Sequence, residues 1–433
     1  MRVAPRRSRK KSGGIQVVSC RLYVVSETHY QLTTCNLQLI TYNLQPTYNL
    51  LPMVTEPHIY ITTPEQLEKA TETLSRAPIV AVDLEADSMY HFTEKVCLIQ
   101  MATDKSCFII DPLALPELSG LESVFADPAI VKIFHGADYD VRSLYRDFGF
   151  PIENLFDTEL ACRFLGYSHS SLEAVLKKHF DVDLDKKYQK KDWSIRPLPE
   201  AMIAYAADDV RYLVDLYREL TAALEAKARL DWALETCKDI SQVRAEDDAD
   251  ADRPLFMRIK GAGRLDARSL ATLEKLALFR QQTARKKDRP PYKIISNNAL
   301  LALAQKKPNT IAHLHGSGIL SKKQCNMYGN AIVDAISGAL QLPAAELPSY
   351  PKTTKQPSSP VVNRRISALK KWRDRKAAQL EMDPAMLINN TAIKTIAKQE
   401  PKTLIALKSV AVLKDWQVET FGEQWVETIL KTG

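Results

Sequence analysis

The apolar run from Ile79 to Val82, followed directly by Asp83-Leu84-Glu85, is the feature that most restricts how this chain can fold. Such a run of apolar residues predicts a buried β-strand. Side chains two residues apart on a strand point to the same face, so Asp83 and Glu85 would face one site at the end of this strand. Carboxylates held together in a buried position repel each other and resist ionisation unless cations lie between them.

Around this strand, predicted helices and strands alternate from residue 59 onward. A helix is predicted at 64–75, where Thr63 and Gln66 form a capping box. Further strands are predicted at 96–102, 107–110 and 130–134. After the last of these, only helices are predicted, including a long stretch at 199–234 that forms either one helix or two. Strands early and helices later, with a mixed sheet, indicate an α/β domain.

Three more residues are predicted to join the site. Asp140 follows the apolar run 130–134 and opens a predicted helix after a glycine turn. Tyr205 and Asp209 are four residues apart in a helical stretch and therefore lie on one helix face. Asp208 lies about 100° around that helix and is expected to stand outside the site. Ligands that are all oxygen atoms favour Mg²⁺ or Mn²⁺ over zinc.

These residues resemble the DEDD family of 3′→5′ exonucleases, in the subgroup with a tyrosine in its last motif. The resemblance is strongest to the ribonuclease D-like and exosome-associated members. It is carried by three segments, Asp83-Leu84-Glu85, His135-Gly136-Ala137-Asp138-Tyr139-Asp140 and Tyr205-Ala206-Ala207-Asp208-Asp209, and by Lys191-Asp192-Trp193-Ser194-Ile195-Arg196-Pro197-Leu198. It implies a ribonuclease H-like α/β exonuclease domain with two divalent cations, Mg²⁺ or Mn²⁺.

The resemblance also implies a role for each residue. Asp83 would bridge both cations, Glu85 and Asp209 would complete the site of the attacking water, and Asp140 would support the second cation. Tyr205 would orient the water, and nucleoside 5′-monophosphates would leave from a 3′ end. The expected substrate is structured RNA, above all transfer RNA precursors. Two alternatives stay open: the same chemistry on DNA, and a non-enzymatic RNA-binding scaffold. His135 is expected to be a structural residue rather than a metal ligand.

The C-terminal part of the sequence repeats itself at a fixed offset of 93 residues, which aligns Leu273 with Ile366, Phe279 with Trp372 and Gly329 with Gly422. This predicts two small all-α helical domains that resemble the HRDC domain of certain helicases and of ribonuclease D. The expected divisions are a disordered or non-native extension at 1–52, an exonuclease domain at 53–240, an acidic linker at 241–256, HRDC-like domains at 257–342 and 361–433, and a linker at 343–360.

Two segments are predicted to contact nucleic acid. The first interleaves basic and aromatic residues before the Tyr205 motif, and its candidates are Lys190, Lys191, Trp193 and Arg196. The alternative is a solvated loop with Trp193 folded inward. The second is a glycine turn, in which the backbone at Gly316 and Gly318 could approach phosphates. The alternative there is that the glycines end a helix.

The charge distribution supports an RNA partner. Residues 53–255 hold 22 basic and 38 acidic side chains, whereas residues 256–433 hold 30 basic and 13 acidic ones. A cation-requiring acidic body joined to a basic tail is expected to capture a polyanion, and the tail is expected to be separable from catalysis. The seven cysteines show no paired spacing, which indicates reduced thiols in a cytoplasmic protein. No membrane segment and no obligate protein partner are evident.

Overall fold

The structure is a computed structural model that describes residues 58–244, 253–351 and 359–432. The predicted N-terminal extension, the acidic block at 246–252 and residues 352–358 of the second linker lie outside the described residues. The strands are β1 (Ile59–Ile61), β2 (Ile79–Ala86), β3 (Val96–Ala102), β4 (Cys107–Ile110), β5 (Val131–Phe134) and β6 (Leu155–Asp157). The helices of the same region are α1 (Pro64–Ser75), α2 (Glu122–Ala126), α3 (Asp138–Phe148), α4 (Thr158–Leu165), α5 (Leu172–Phe180), α6 (Glu200–Arg211), α7 (Leu213–Ala226) and α8 (Leu230–Ser241).

The six strands form one mixed sheet in the order β1-β4-β3-β2-β5-β6. Strand β2 lies inside the sheet, antiparallel to β3 and parallel to β5. All seven residues of β3 are buried, as expected for a strand covered on both faces. This sheet with its surrounding helices, followed by helical repeats, confirms the predicted fold class.

The local signals in the sequence explain several boundaries. Thr63 and Gln66 form the predicted capping box at the start of α1, where Pro64 occupies the first helical turn. Helices α3 and α4 each end at a glycine in the left-handed conformation, Gly149 and Gly166. The hairpin of β3 and β4 also lies at the predicted residues.

Two predictions about this region were wrong. Strand β6 was missed, because a strand of three residues offers too few positions to show any periodicity. The stretch at 199–234 was expected to form one helix or two, whereas it belongs to α6, α7 and α8. The last break comes at Ala228, whose positive φ of 53° is a conformation that a continuous helix excludes.

The C-terminal residues form two copies of one five-helix arrangement. The first copy contains α9 (Ala267–Lys286), α10 (Pro291–Ile294), α11 (Asn297–Lys306), α12 (Ile311–Gly316) and α13 (Lys322–Leu340). The second contains α14 (Pro360–Leu380), α15 (Pro384–Leu387), α16 (Asn390–Gln399), α17 (Leu404–Lys408) and α18 (Asp415–Leu430). The bounds of α10 and α15, and those of α11 and α16, differ by the 93 residues read from the sequence, which confirms the predicted repeat.

The two copies pack differently. The first copy has a hydrophobic core of its own, whereas buried residues of the second copy are continuous with the core around the sheet. Trp416 of the second copy stacks on Trp232 of α8 with ring centroids 4.6 Å apart, and its edge meets Phe164 of α4. A buried arginine, Arg229, donates hydrogen bonds to the carbonyls of Phe164 and Leu380 and so ties the two parts together.

These parts also approach each other closely at Gly166. A Cβ atom at this position would lie 1.8 Å from the carbonyl oxygen of Glu381, and Gly166 has a φ of +84°. This packing differs from the expected division into a catalytic unit and a separable basic tail. Among the described residues, no helix combines the length and the apolar character that crossing a membrane requires.

Candidate active site

Three carboxylates from two elements meet at one end of β2. Asp83 and Glu85 lie on the same face of this strand, and Asp209 comes from α6, which packs against the sheet. Ligand oxygens of the three side chains all lie within 4.8 Å of one another. The pairing of β2 with β3 shifts register between Glu85 and Ala86, and such an irregularity next to a site commonly re-aims a side chain.

Asp140 lies on the first turn of α3 and is buried, with 6% of its surface exposed. Asp140 stands outside the group of three. Its charge nevertheless helps to raise the pKa of Glu85, and the charge of Asp83 helps to raise the pKa of Asp140. The turn that aims this helix is held by Asp157, whose carboxylate accepts hydrogen bonds of 2.9 Å from the backbone N–H groups of Gly136 and Ala137. The same carboxylate caps α4.

The sequence analysis missed Asp157 as a positioning residue. The available signal was an aspartate directly before a helical run, which is a common N-cap pattern. That pattern alone does not reveal the hydrogen bonds from Gly136 and Ala137, because these residues lie 21 and 20 positions earlier in the sequence.

The four carboxyl groups of the site all have raised pKa values. Burial raises the pKa of Asp83 from its ordinary value of 3.8 to about 7. Burial, followed by the charges of Asp83 and Asp208, raises the pKa of Asp209 to about 8. Burial also raises the pKa of Glu85 and that of Asp140 well above their ordinary values, and the neighbouring carboxylates add to both shifts. Within the described residues, no Lys or Arg forms an ion pair with any of these four side chains.

The cluster opens into a cleft of about 550 Å³. Its lining contains residues that the sequence analysis did not assign to the site: Glu159, Ser170, Ser171, Leu172 and Gln189. His135 also lines it; its Nδ1 lies 2.9 Å from the Thr158 hydroxyl, and its Nε2 is buried without a hydrogen-bond partner among the described residues. Burial lowers the pKa of His135. His135 is therefore anchored to the fold, as expected of a structural residue.

Tyr205 lies one helical turn before Asp209 and lines the same cleft. Its ring contacts the rings of Tyr188 and Trp193, with centroids 5.9 and 6.0 Å away. Burial and then the charges of Asp209, Glu85 and Asp83 raise the pKa of Tyr205 above its ordinary value. Asp208, by contrast, forms a 3.2 Å ion pair with Arg211 and is not a member of the cluster, as the helical spacing predicted.

Two of the four residues predicted to contact nucleic acid near this site do not lie where that prediction requires. Trp193 is only 1% exposed and packs in the core against Tyr205, so the prediction of base stacking was wrong. All five N–H donors of Arg196 are used inside the protein, on Asp111 and on the carbonyls of Cys97, Trp193 and Ile195. Arg196 is thus a structural residue, and the prediction of a phosphate contact was wrong for it as well.

For the other four candidates, contact with nucleic acid stays a prediction. Lys190 and Lys191 are exposed on the segment that leads into the cleft. Gly316 is the last residue of α12, and Gly318 has a positive φ of 66°, so both glycines lie at the end of a helix. Both glycines face open space, because a Cβ atom at either position would meet nothing within 4 Å.

Comparison with known proteins agrees with this architecture. A family model described as 3′-5′ exonuclease matches residues 58–225, and one described as HRDC domain matches residues 269–336 and 362–429. Ribonuclease D of Desulfotalea psychrophila is 30% identical over 338 residues, which is 78% of this chain and 89% of that protein. Exosome complex component 10 of Homo sapiens is 34% identical over 264 residues, and the match spans 59% of this chain and 30% of that longer protein.

A solved structure has the same fold over most of the chain. The crystal structure of Escherichia coli RNase D superimposes with a TM-score of 0.63 at 24% identity, covering 87% of this chain and 99% of that one. An exonuclease domain with a buried acidic cluster, followed by two HRDC domains, defines the class. This chain belongs to the ribonuclease D family of 3′→5′ exoribonucleases.

Proposed function

We propose that this chain hydrolyses RNA from its 3′ end in a reaction that depends on two divalent cations and releases nucleoside 5′-monophosphates. The observation that carries the proposal is that the Asp83, Glu85 and Asp209 oxygens lie within 4.8 Å of one another, while no Lys or Arg of the described residues forms an ion pair with them. Like charges so close are tolerated when the groups are protonated or when cations neutralise them.

The residues present fit divalent cations. The donor set is made only of carboxylate oxygens, which suits Mg²⁺ and Mn²⁺. Asp83, Glu85 and Asp209 would hold one ion, and Asp83 together with Asp140 would hold the second. Bound ions would supply neutralisation of the phosphodiester charge and a water that loses its proton near neutral pH.

Tyr205 would orient the attacking water. Because its pKa is raised, its phenol remains protonated across the working pH range and acts through hydrogen bonds rather than as a base. The Trp193 and Tyr188 rings restrict the Tyr205 ring, so the hydroxyl keeps its direction toward the carboxylates. In this proposal Trp193 is a positioning residue and does not contact RNA.

The proposed substrate is structured RNA with a 3′ extension, such as a transfer RNA precursor. The RNA preference rests on the family, and the E. coli relative is described as an exoribonuclease involved in structured RNA processing. We also retain as proposals the domain limits 53–240, 257–342 and 361–433, the absence of an obligate protein partner, and a cytoplasmic location. The five cysteines in the described part of the chain are buried and free, which fits a reducing compartment.

Digestion of a 3′-extended transfer RNA tests the proposal directly. With Mg²⁺ or Mn²⁺ we expect stepwise shortening from the 3′ end and nucleoside 5′-monophosphates as products, and with chelator no shortening. A matched DNA oligonucleotide is the comparison for sugar preference. Faster digestion of DNA would reverse the substrate assignment, and internal cleavage or nucleoside 3′-monophosphates would contradict the mechanism.

Thermal stability should reveal the same ions without any substrate. The raised pKa values mean that the metal-free folded state keeps protons that the unfolded chain releases, so stability falls as pH rises from about 4 to about 8. Mn²⁺ binds the deprotonated carboxylates, so its stabilising effect should grow from pH 6 to pH 8.5. At an Mn²⁺ concentration of about 100 times its Kd, we expect the free energy of unfolding to rise by about 2.7 kcal/mol and the Tm by about 5 °C.

The matched control for this shift is Asp208→Asn, because Asp208 is adjacent to Asp209 but ion-paired with Arg211. Asp208→Asn should keep the Mn²⁺ response, and Asp209→Asn should lose it. A response of equal size in both variants would mean that the ion binds elsewhere.

A further inference from the structure

A concave, basic pocket lies on the first HRDC domain. It has a volume of about 540 Å³ and is lined by Lys287, Arg289, Lys293, Ile294, Lys323, Gln324, Met327 and Tyr328. Four of these eight residues are cations and none is an acid. All four cations are exposed, and in the part of the chain that the structure describes none of them pairs with a carboxylate. We call this feature the basic pocket.

The acid nearest in sequence is directed away from the basic pocket. Asp288 adopts a positive φ of 45°, and its carboxylate accepts a 3.0 Å hydrogen bond from the backbone N–H of Phe92. Its other oxygen lies 2.7 Å from His91 Nδ1. The exonuclease domain thus occupies the carboxylate that lies between Lys287 and Arg289 in the sequence.

Two of the cations are held in place by aromatic side chains. Lys287 donates a 3.0 Å hydrogen bond to the Tyr328 hydroxyl and lies over that ring. The Lys293 ammonium lies 4.2 Å from the centroid of Tyr90. Such contacts fix the direction of a lysine without neutralising its charge. The basic pocket therefore keeps its full positive charge toward solvent.

In the second HRDC domain, the equivalent face packs against the exonuclease domain. The offset of 93 residues places Leu380, Met382, Met386, Leu387, Trp416, Gln417, Thr420 and Phe421 at the equivalent positions. Every cation is replaced by an apolar residue, and Trp416 is stacked on Trp232 of the exonuclease domain. This face is apolar and covered in the second domain, but basic and open in the first.

One hydrogen bond beneath this face is shared by the two domains. Gln324 donates a 3.0 Å hydrogen bond to the carbonyl of Ile294, and Gln417 donates a 2.7 Å hydrogen bond to that of Leu387. The same hydrogen bond therefore lies beneath both faces, whereas the chemistry of their lining differs. Four cations that pair with no carboxylate among the described residues indicate a polyanionic ligand rather than a protein surface like that covering the second domain.

Tyr90 connects the basic pocket with the segment that lines the active-site cleft. Tyr90, under Lys293, donates a 2.7 Å hydrogen bond to the carbonyl of Lys190, which follows the cleft residue Gln189. Tyr90 is also five residues after Glu85 in the sequence, which limits their Cα separation to about 17 Å. At a rise of about 3.4 Å per stacked nucleotide, this corresponds to about five nucleotides.

We propose that the basic pocket binds backbone phosphates of the RNA strand whose 3′ end lies in the active site. This inference rests on the proposed function. The face that serves as a docking surface in the second domain serves in the first as an anchor for the substrate upstream of the scissile bond. Phosphate contacts of this kind set the position of a strand without reading its sequence.

The test is the double variant Arg289→Gln with Lys323→Gln, because among the described residues neither side chain pairs with an aromatic ring or with the exonuclease domain. Binding is measured in chelator with a single-stranded RNA of about 12 nucleotides, long enough to reach the basic pocket. We expect roughly 25-fold weaker binding at about 0.1 M salt, because each lost phosphate contact removes about 0.7 from the slope of log K against log salt. The slope itself should fall by about 1.4.

The matched control is Lys275→Gln with Lys306→Gln, which removes the same charge from exposed positions outside the basic pocket. It should change the affinity much less. Hydrolysis of an RNA of about three nucleotides, too short to span the link, should be equal in the wild type and both double variants. Failure of the wild type to hydrolyse RNA at all would instead refute the proposed function.

Equal loss of affinity in both double variants would overturn the basic pocket as a site and leave only general charge attraction. Unchanged RNA binding in the Arg289 and Lys323 double variant would also overturn the proposal, and would leave the basic pocket to a different occupant, such as an acidic protein segment. Either result can occur while the wild type remains an active exoribonuclease.

Discussion

Replacing Asp83 with Asn is expected to slow RNA hydrolysis by roughly 1,000-fold, because bound ions supply several kcal/mol of transition-state stabilisation and each 1.4 kcal/mol is a factor of ten. Asp83 is the side chain that faces both proposed ions. Binding of RNA in chelator should stay within about twofold of the wild type, since this residue contributes no positive charge. Single-turnover hydrolysis of 3′-labelled RNA and a separate binding titration measure the two effects.

The control for this substitution is again Asp208→Asn, which removes an equal charge from the same acidic domain without touching the cluster. Its hydrolysis rate should stay close to that of the wild type. The non-enzymatic alternative predicts no hydrolysis by the wild type under any ion condition, and equal hydrolysis by the wild type and Asp83→Asn would place the reaction at another site.

Trp416→Ala should be the most destabilising single substitution in the interface between the exonuclease domain and the second HRDC domain. The side chain is 4% exposed and is packed between Trp232 and Phe164. Removing a buried tryptophan of this kind costs about 3–5 kcal/mol in the free energy of unfolding. Denaturant unfolding monitored by fluorescence and by circular dichroism measures the loss.

Leu430→Ala is the matched control, because it shortens an apolar side chain of the same helix, α18, that is 56% exposed. We expect a change within about 0.5 kcal/mol. If Trp416→Ala unfolds only the second HRDC domain and leaves the exonuclease domain as stable as before, the shared core has no energetic coupling. That result would restore the separable tail expected from the sequence.

The sequence sufficed for the parts of this molecule that depend on local pattern. Asp83 and Glu85 share a face because the period of a strand is two residues, and Tyr205 and Asp209 share one because a helix turns every 3.6 residues. The 93-residue offset located both HRDC domains without a gap. These features could be predicted because each depends only on neighbouring residues or on a direct comparison of one sequence segment with another.

Contacts between distant segments could not be predicted in this way. Trp193 and Arg196 belong to a basic and aromatic segment typical of a nucleic-acid surface. Their true partners, Tyr205 and Asp111, lie in other elements, and no local pattern distinguishes an arginine whose donors are all used inside the protein from one that is free to contact phosphate. Strand β6 was likewise too short to show a period, although its last residue, Asp157, aims the helix that carries Asp140.

The character of the basic tail also depended on tertiary structure. Net charge predicted a polyanion partner for residues 256–433 as a whole, but charge sums do not reveal which face of each repeat is covered. Comparing equivalent positions, such as Lys323 with Trp416, shows that the two repeats differ in the chemistry of this face. The comparison becomes informative only once Trp416 is known to lie on the exonuclease domain.

Gly166 has a consequence for how this protein can change over evolutionary time. Its missing side chain leaves room for the carbonyl of Glu381, more than 200 residues away. Any larger residue at this position would force the distant backbone to shift before the variant could fold. The segments around Gly166 and Glu381 are therefore expected to change together in evolution. Exchanging the last domain between homologues by recombination should fail unless both segments come from the same homologue.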